Sequence, residues 1–419
     1  MKININFYLK LAWLNLLRHK RRTVITSISI AAGIMAYVYM DSMVLGMVHD
    51  NSNNLILYET ASVRMVTPEF WEDREFYPLK HAIDSPRTIM GELEAAGFNP
   101  VPRTRFSGEM LYYQDPYPDS GSRRIIVNGV DPEKDGDVFR IDSSVSQGQW
   151  LESETPSAVI GAGIARKTGA RVGYPLLIRT RTRDGAYQTI EVIISGIADT
   201  PNPVVDLSAV YIPLSLADSA LNMNGAVTDL NLYHPPTSDP GELKRQLEEL
   251  LPGGILARTW QEMEPAVSEF DTIARNETKA FTFFIFIVAL VGISNTMLNA
   301  VYDRFREIGM LRAMGMEDRS ILLLLTLEAG GIGLLGAIAG VLFSIPIVWH
   351  LVTWGLDFSA FMPSDLNFGF RTDMHFMGMW NFATMLRAAA FGIAVSALVA
   401  LIPGRRAVKK PVVDCLRME

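Results

Sequence analysis

The stretch NAVYDRFREIGMLRAMGMEDRS, residues 299–320, packs eight charged side chains between two of the most apolar runs in the chain. Arg304, Arg306, Arg312 and Arg319 stand against Asp303, Glu307, Glu317 and Asp318, so the segment is net neutral and makes a poor basic patch for lipid headgroups. Phe305, Ile308, Met310, Leu311 and Met314 are spaced for one face of a short helix, which Gly309 and Gly315 are expected to limit and end. A short helix with an apolar ridge flanked by both signs of charge is shaped to dock into a protein cleft.

On either side the chain reads as a membrane protein. It has 419 residues, is 49% hydrophobic and has a mean hydropathy of +0.17. Hydrophobicity concentrates at 23–40, 280–302, 329–349 and 388–404, each near the roughly 20 residues a helix needs to cross a bilayer. The first run is too long for a secretory h-region and lacks a clear cleavage site, so it is taken as a span.

Residues 1–22 carry six Lys/Arg and no acid, and residues 405–419 carry five Lys/Arg and two acids, which places both termini on the cytoplasmic side. Segment 303–320 is then cytoplasmic as well. Residues 49–279, with 21 basic and 34 acidic side chains, form an acidic exported region of net charge −13. The single cysteine, Cys415, falls in the cytoplasmic tail, so the exported domain must hold together by its core without an internal disulfide.

The expected fold class is a multi-pass α-helical membrane protein with four transmembrane helices and a large α+β periplasmic domain between the first and second. An amphipathic cytoplasmic helix occupies 1–22, with spans at 23–48, 279–302, 321–353 and 384–404. The exported domain covers 49–278, a short cytoplasmic helix 303–320, a short outer loop 354–383 and a tail 405–419.

Within the exported domain, Ser85-Pro86 and Asp239-Pro240 mark helix starts. Strand-like runs fall at 124–130, 175–182, 189–197 and 209–213. The two helix starts open segments that align as a faint repeat, with Ile89 opposite Leu243 and Leu93 opposite Leu247. Chance similarity of two amphipathic helices accounts for this equally well. If the repeat is real, halves at 49–105 and 226–278 form a membrane-proximal unit, with 106–225 inserted between them. Segment 260–279 is expected to run as a stiff helix into the second span.

Candidate sites follow from position. Glu328 lies early in the third span, where a carboxylate costs about 2.5–3.5 kcal/mol if left at the bilayer centre. It either makes a polar contact between helices or reaches cytoplasmic water. Gly333, Gly336 and Gly340 permit close helix packing, within one subunit or against a second. Met40, Met43, Val44 and Met47 share one face of the first span, as a core stripe or as a surface adaptable to alkyl chains.

No phosphate loop, HExxH, GxSxG or paired-cysteine spacing is present, and the six histidines are scattered. GAGIARKTGARVG, residues 161–173, lacks GxGxxG spacing and reads as a strand-to-helix turn. The chain is therefore expected to be no enzyme and to bind no cofactor or metal of its own.

GISNTMLNAVYDRFREIGMLRAMGMEDRSI, followed by a glycine-rich span with an early glutamate, resembles the FtsX-like permeases of mechanotransmission ABC transporters. LAWLNLLRHKRRTVIT resembles the entry helix of that family. AVIGAGIARKTGARVGYPLLI and VIISGIADT resemble the periplasmic core domain shared by macrolide-exporter and lipoprotein-releasing permeases, with Tyr174 where an Asp is common.

The resemblance implies an inner-membrane permease working with a cytoplasmic ABC ATPase dimer, which binds ATP and Mg, and with a second permease subunit. It implies ATPase coupling through Arg304, Glu307, Ile308, Met310, Leu311, Arg312 and Gly315. The size of the exported domain and the absence of ATPase motifs favour the lipoprotein-releasing branch, with lipoprotein, membrane lipid and a periplasmic carrier as partners and no nucleic acid. A split exporter permease is the alternative, and a membrane-anchored ligand-binding or adhesion protein is a reading from a different class.

Overall fold

The computed structural model describes residues 5–18, 20–234, 239–358, 371–372 and 375–409, apart from the side chains of some helix residues, most of them within 275–303. The expected tail beyond 409 and residues 359–370 and 373–374 of the outer loop lie outside the described residues. The helices that carry the argument are α1 (Ile5–Arg18), α2 (Lys20–Leu55), α3 (Pro86–Ala95), α4 (Pro240–Leu250), α5 (Pro265–Asp303), α6 (Phe305–Ala313), α7 (Asp318–Thr353), α8 (Phe382–Val399) and α9 (Leu401–Val408). The chain divides into two compact units. One comprises Met1–Val48, Asp271–Leu356 and Phe376–Glu419, and the other His49–Phe270 and Asp357–His375.

The first unit is helical. Among the described residues three helical stretches are long and apolar enough to cross a membrane: Thr23–Thr60, Asp318–Thr353 and Phe382–Arg406. The expected span 279–302 falls within α5, an unbroken 39-residue helix, but most of its side chains lie outside the described residues. Glycine lets α7 approach its neighbours closely. A Cβ on Gly336 would stand 2.7 Å from Ile30 Cβ and one on Gly340 2.9 Å from Ile34 Cβ, both on α2, while one on Gly333 would meet Ser396 of α8 at 2.8 Å. Ile30, Ile34, Ile332, Ala337, Met385 and Ala388 fill the seam between these three helices.

The second unit is built on a ten-stranded sheet. Its strands are β1 (Val63–Val66), β2 (Val101–Tyr112), β3 (Gly121–Val130), β4 (Val145–Gly148), β5 (Ser157–Gly161), β6 (Pro175–Arg181), β7 (Tyr187–Ala198), β8 (Ala209–Pro213), β9 (Asp229–Leu232) and β10 (Leu256–Thr259). The order is β10-β1-β9-β2-β3-β8-β5-β7-β4, and β6 pairs with both β2 and β7. Strands β2, β3, β8, β5, β7 and β6 therefore close on themselves, a ring that removes exposed strand edges. Alternate residues point inward, so Phe106, Met110, Ile125, Val127, Ile160, Ile178, Val192 and Ile212 share one buried core.

Helices α3 and α4 pack with β1, β9 and β10 in a separate core containing Ile89, Leu93, Leu243 and Leu247, the apolar pairs aligned in the faint repeat. Each helix leads into a strand, α3 into β2 and α4 into β10, at the two ends of the run β10-β1-β9-β2. The Asp239 side chain accepts from Gly241 N at 3.1 Å as expected of an N-cap, whereas Ser85 makes no such bond and its helix start relies on Pro86. GAGIARKTGARVG is the end of β5, a short helix Ala162–Thr168 and a left-handed Gly169 with φ +71°, a strand-to-helix turn.

One expectation needs correction. The stretch beginning at Trp260 is not one rod: a short turn of helix, Trp260–Met263, ends at Glu264, and α5 starts afresh at Pro265. Thr259 caps the short turn reciprocally with Glu262, and proline suits a first helical position, so the chain has two starts within six residues.

Candidate functional site: a short helix between two spans and its buried anchor

Phe305, Ile308 and Gly309 of α6 are buried. Phe305 and Ile308 pack against Ile321 of α7 and Val408 of α9, with Met316, Leu322 and Leu325 around them. Gly309 does not limit the helix as expected. It sits inside it on the buried edge, and Gly315, with φ +94°, lies just beyond the end in a conformation that favours glycine. Gly315 N donates to Arg312 O and Met316 N to Leu311 O, both at 3.0 Å, satisfying carbonyls that the helix end would leave open.

Arg304 occupies the N-cap position of α6. Its Nε donates to Glu307 Oε2 at 2.9 Å, and its Nη1 donates to both oxygens of Glu328, at 2.9 and 3.1 Å. Glu328 is 2% exposed on α7, and Asn15 Nδ2 of α1 donates to it at 3.4 Å. Arg18, also on α1, reaches the other oxygen of Glu307 at 3.3 Å from a solvent-exposed position. Two guanidiniums and two carboxylates thus join α1, α6 and α7. Burial opposes the charge of Arg304, but the carboxylates of Glu328 and Glu307 outweigh it and hold the group above its ordinary pKa. At the other end of α6, Arg312 Nε pairs with Asp318 Oδ1 at 3.1 Å.

The opposite side of α6 is open. Arg306, Ala313 and Met314 are exposed, Met310 is 48% exposed and Leu311 half-buried. The expected coupling residues therefore separate into two sets. Arg304, Glu307, Ile308, Arg312 and Gly315 fix the helix, whereas Met310 and, in part, Leu311 present an apolar surface between charged neighbours.

Met40, Met43, Val44 and Met47 are each half-buried. Close packing occurs on the other side of α2: Ser42 Oγ donates to Met379 O at 2.9 Å, and a Cβ on Gly46 would collide with Met377 O at 1.9 Å. At 100° per residue, Ser42 and Gly46 face away from the methionine stripe.

Sequence reasoning singled out Glu328 but named no partner, since Arg304 and Asn15 lie 24 and 313 residues away. In the second unit it missed a comparable hub. Arg371 donates from Nε to Glu59 Oε2 and from Nη2 to Glu264 Oε2, each at 3.2 Å. Asn202 Nδ2 also donates to Glu59 at 3.2 Å. No local pattern announces contacts between residues 312 and 107 positions apart.

Residues 279–412 match the FtsX-like permease C-terminal family and residues 23–250 the MacB-like periplasmic core domain. An uncharacterised ABC transporter permease of Methanocaldococcus jannaschii is 21% identical over 80% of this chain and 82% of its own length. The lipoprotein-releasing system transmembrane protein LolC of Neisseria meningitidis is 20% identical over 71% of this chain and 74% of its own length. The macrolide export ATP-binding/permease protein MacB of Pasteurella multocida is 33% identical, over 32% of this chain and 18% of its own length. Members of the family work with a cytoplasmic ABC ATPase. The chain belongs to the FtsX-like permeases of ABC transporters, inner-membrane proteins with a MacB-like periplasmic core domain.

Proposed function

We propose that this permease turns closure of a separate ATPase dimer into movement of its periplasmic domain, and that its cargo is lipoprotein leaving the inner membrane for a periplasmic carrier. The observation that carries the coupling part is the Arg304–Glu328 pair. It fastens α6 to α7 inside the protein while Arg306, Met310 and Met314 stay open on the outer side. A load applied to that open face reaches α7 through a buried ion pair and α1 through Asn15. Two permease subunits, alike or different, would each dock one such helix on one ATPase subunit, with ATP and Mg held by the ATPase.

Extent of similarity supports the lipoprotein reading. LolC of Neisseria meningitidis aligns over most of the chain, and LolE of Haemophilus influenzae over 68% of it. The half-buried Met40, Met43, Val44 and Met47 provide an adaptable surface for acyl chains. A second reading, a split exporter of peptides or drugs, is favoured by the higher identity to MacB over its shorter match.

The test is reconstitution of the chain with its ATPase in lipid nanodiscs. Triacylated lipoprotein is expected to raise ATP turnover and to crosslink to photo-reactive groups at positions 43 and 47. Stimulation by a macrolide or peptide without lipoprotein crosslinks would move the assignment to export. Met310→Glu and Met314→Glu are expected to abolish ATPase co-purification, and retention of the ATPase by both would overturn α6 as the docking element.

A further inference from the structure

The second unit carries a basic groove of about 1040 Å³ at the junction of β2 and β6. Lys80, Arg124, Arg179, Arg181 and Arg183 line it, with Glu109 as the one carboxylate of the lining. Glu109 pairs with Arg179, and Asp84 pairs with Arg183 at 2.6 Å. Among the described residues, Lys80, Arg124 and Arg181 have no carboxylate within ion-pair distance. This concentration of cations stands in a region whose net charge is −13, so it is a local reversal of the domain's field.

The floor of the groove is a gap in the strand ladder. On one edge β2 pairs with β9 through Val101–Arg103 and with β6 through Glu109–Leu111. Residues 104–108 between them have no strand partner on that edge, and Phe106, Ser107 and Gly108 line the groove there. Side chains close part of the gap: Thr180 Oγ1 donates to Ser107 O at 2.9 Å, and Thr228 Oγ1 accepts from Arg105 N at 2.8 Å. Of the aromatic rings at the groove, Phe76 and Tyr187 are exposed, at 71% and 75%, and the guanidinium of Arg181 lies over the Tyr187 ring at 4.8 Å.

We propose that this groove binds an extended, acidic peptide segment of another protein. Arginine forks match carboxylates. A strand gap accepts extended backbone better than it accepts a compact headgroup. Exposed rings beside the cations suit apolar side chains interspersed among the acids. The assignment is independent of the transported substrate, because it concerns a surface of the second unit alone.

The test uses the full chain in neutral-lipid nanodiscs and a short, fluorescently labelled Glu-rich peptide carrying Phe. Binding is expected to weaken with salt and to fall roughly tenfold in Arg124→Ala and in Arg181→Ala, the size of a lost charge-assisted contact. Arg124→Lys and Arg181→Lys should retain part of the affinity. Arg87→Ala, an exposed arginine outside the groove, should leave it unchanged. Arg124 and Arg181 are exposed, so truncation leaves the fold intact, checked by an unchanged protease-resistant domain. The proposal is overturned if the Gln counterpart of the peptide binds equally well. It is also overturned if the alanine variants bind undiminished, or if only polyphosphate or phosphatidylglycerol vesicles bind in an Arg124- and Arg181-dependent way.

Discussion

Among the described residues, an arginine in each unit of this permease grips two carboxylates, and the two differ in reach and in how far their carboxylates are buried. Arg304 binds Glu307, three residues along, and Glu328, whose side chain is 3% exposed. Arg371 binds Glu59 and Glu264, with side chains 23% and 34% exposed and far away in sequence. The first has one dry arm, to Glu328, and one wetted arm, to Glu307, whose side chain is 36% exposed at the start of a short helix. The second is a partly wetted clasp drawing together three segments: the end of the helix that begins at Lys20, the turn before Pro265, and the chain ahead of His375. A buried pair is costly to break on one side because the survivor keeps its desolvation penalty without its partner. A wetted one loses little, since water replaces the missing group.

The largest effect should come from Arg304→Ala, which leaves the Glu328 carboxylate buried without its guanidinium. A loss of about 3–5 kcal/mol is expected, read as a lower unfolding midpoint of the purified chain. ATP turnover should uncouple from transport as well. Glu328→Gln in the same background should recover part of the stability, because the neutral amide is cheaper to bury. Failure of that rescue would break the contrast.

A carboxylate without any arginine gives the intermediate case. Asp206 is 4% exposed and accepts from Thr200 Oγ1 at 2.7 Å and Thr200 N at 3.1 Å. Burial pushes it up from 3.8 to about 7, the Thr200 bonds pull the other way, and the charge of nearby Asp199 adds to the rise. Because the folded state holds the proton more tightly than the unfolded one, the contribution is full below about pH 4. It is lost as pH rises through about 7, and the span corresponds to at most about 4 kcal/mol. Asp206→Asn keeps an acceptor for Thr200 and should flatten this dependence, measured as hydrogen exchange of residues 199–206 between about pH 5 and pH 8.

The smallest effects belong to the clasp. Arg371→Ala should cost about 1 kcal/mol and should matter less as salt is raised. Glu264→Gln should act in the opposite direction. Burial and the charge of Glu59 raise its pKa, with Arg371 opposing. Its contribution to stability is therefore lost as pH rises through that raised value, and the neutral variant escapes the loss. Unfolding of the two variants compared across pH sharpens the contrast if the signs differ and breaks it if they agree.

Where elements begin and end is largely legible in the amino-acid sequence. Strands expected at 124–130, 175–182, 189–197 and 209–213 correspond to β3, β6, β7 and β8, and the Pro86 and Pro240 helix starts are in place. Gly315 ends α6 because a backbone position with positive φ is local chemistry. Gly309 misled because glycine in a helix signals either a break or a close contact, and only the neighbour decides which. The proposed coupling residues gather on one short helix, but their division into an anchored set and an open one is not legible in the sequence.

The apolar runs, the charge asymmetry across them, the turns fixed by Gly and Pro, and the helix between apolar spans follow from the order of the amino acids. All of these are set by residues within a few positions of one another. That Glu328 meets Arg304 and Asn15, that Arg371 closes on Glu59 and Glu264, and that six strands close a ring with a basic gap at its rim emerges from packing in three dimensions. Those are pairings across tens to hundreds of residues. Which carboxylate meets which guanidinium depends on how helices and strands pack, and no local periodicity encodes that choice.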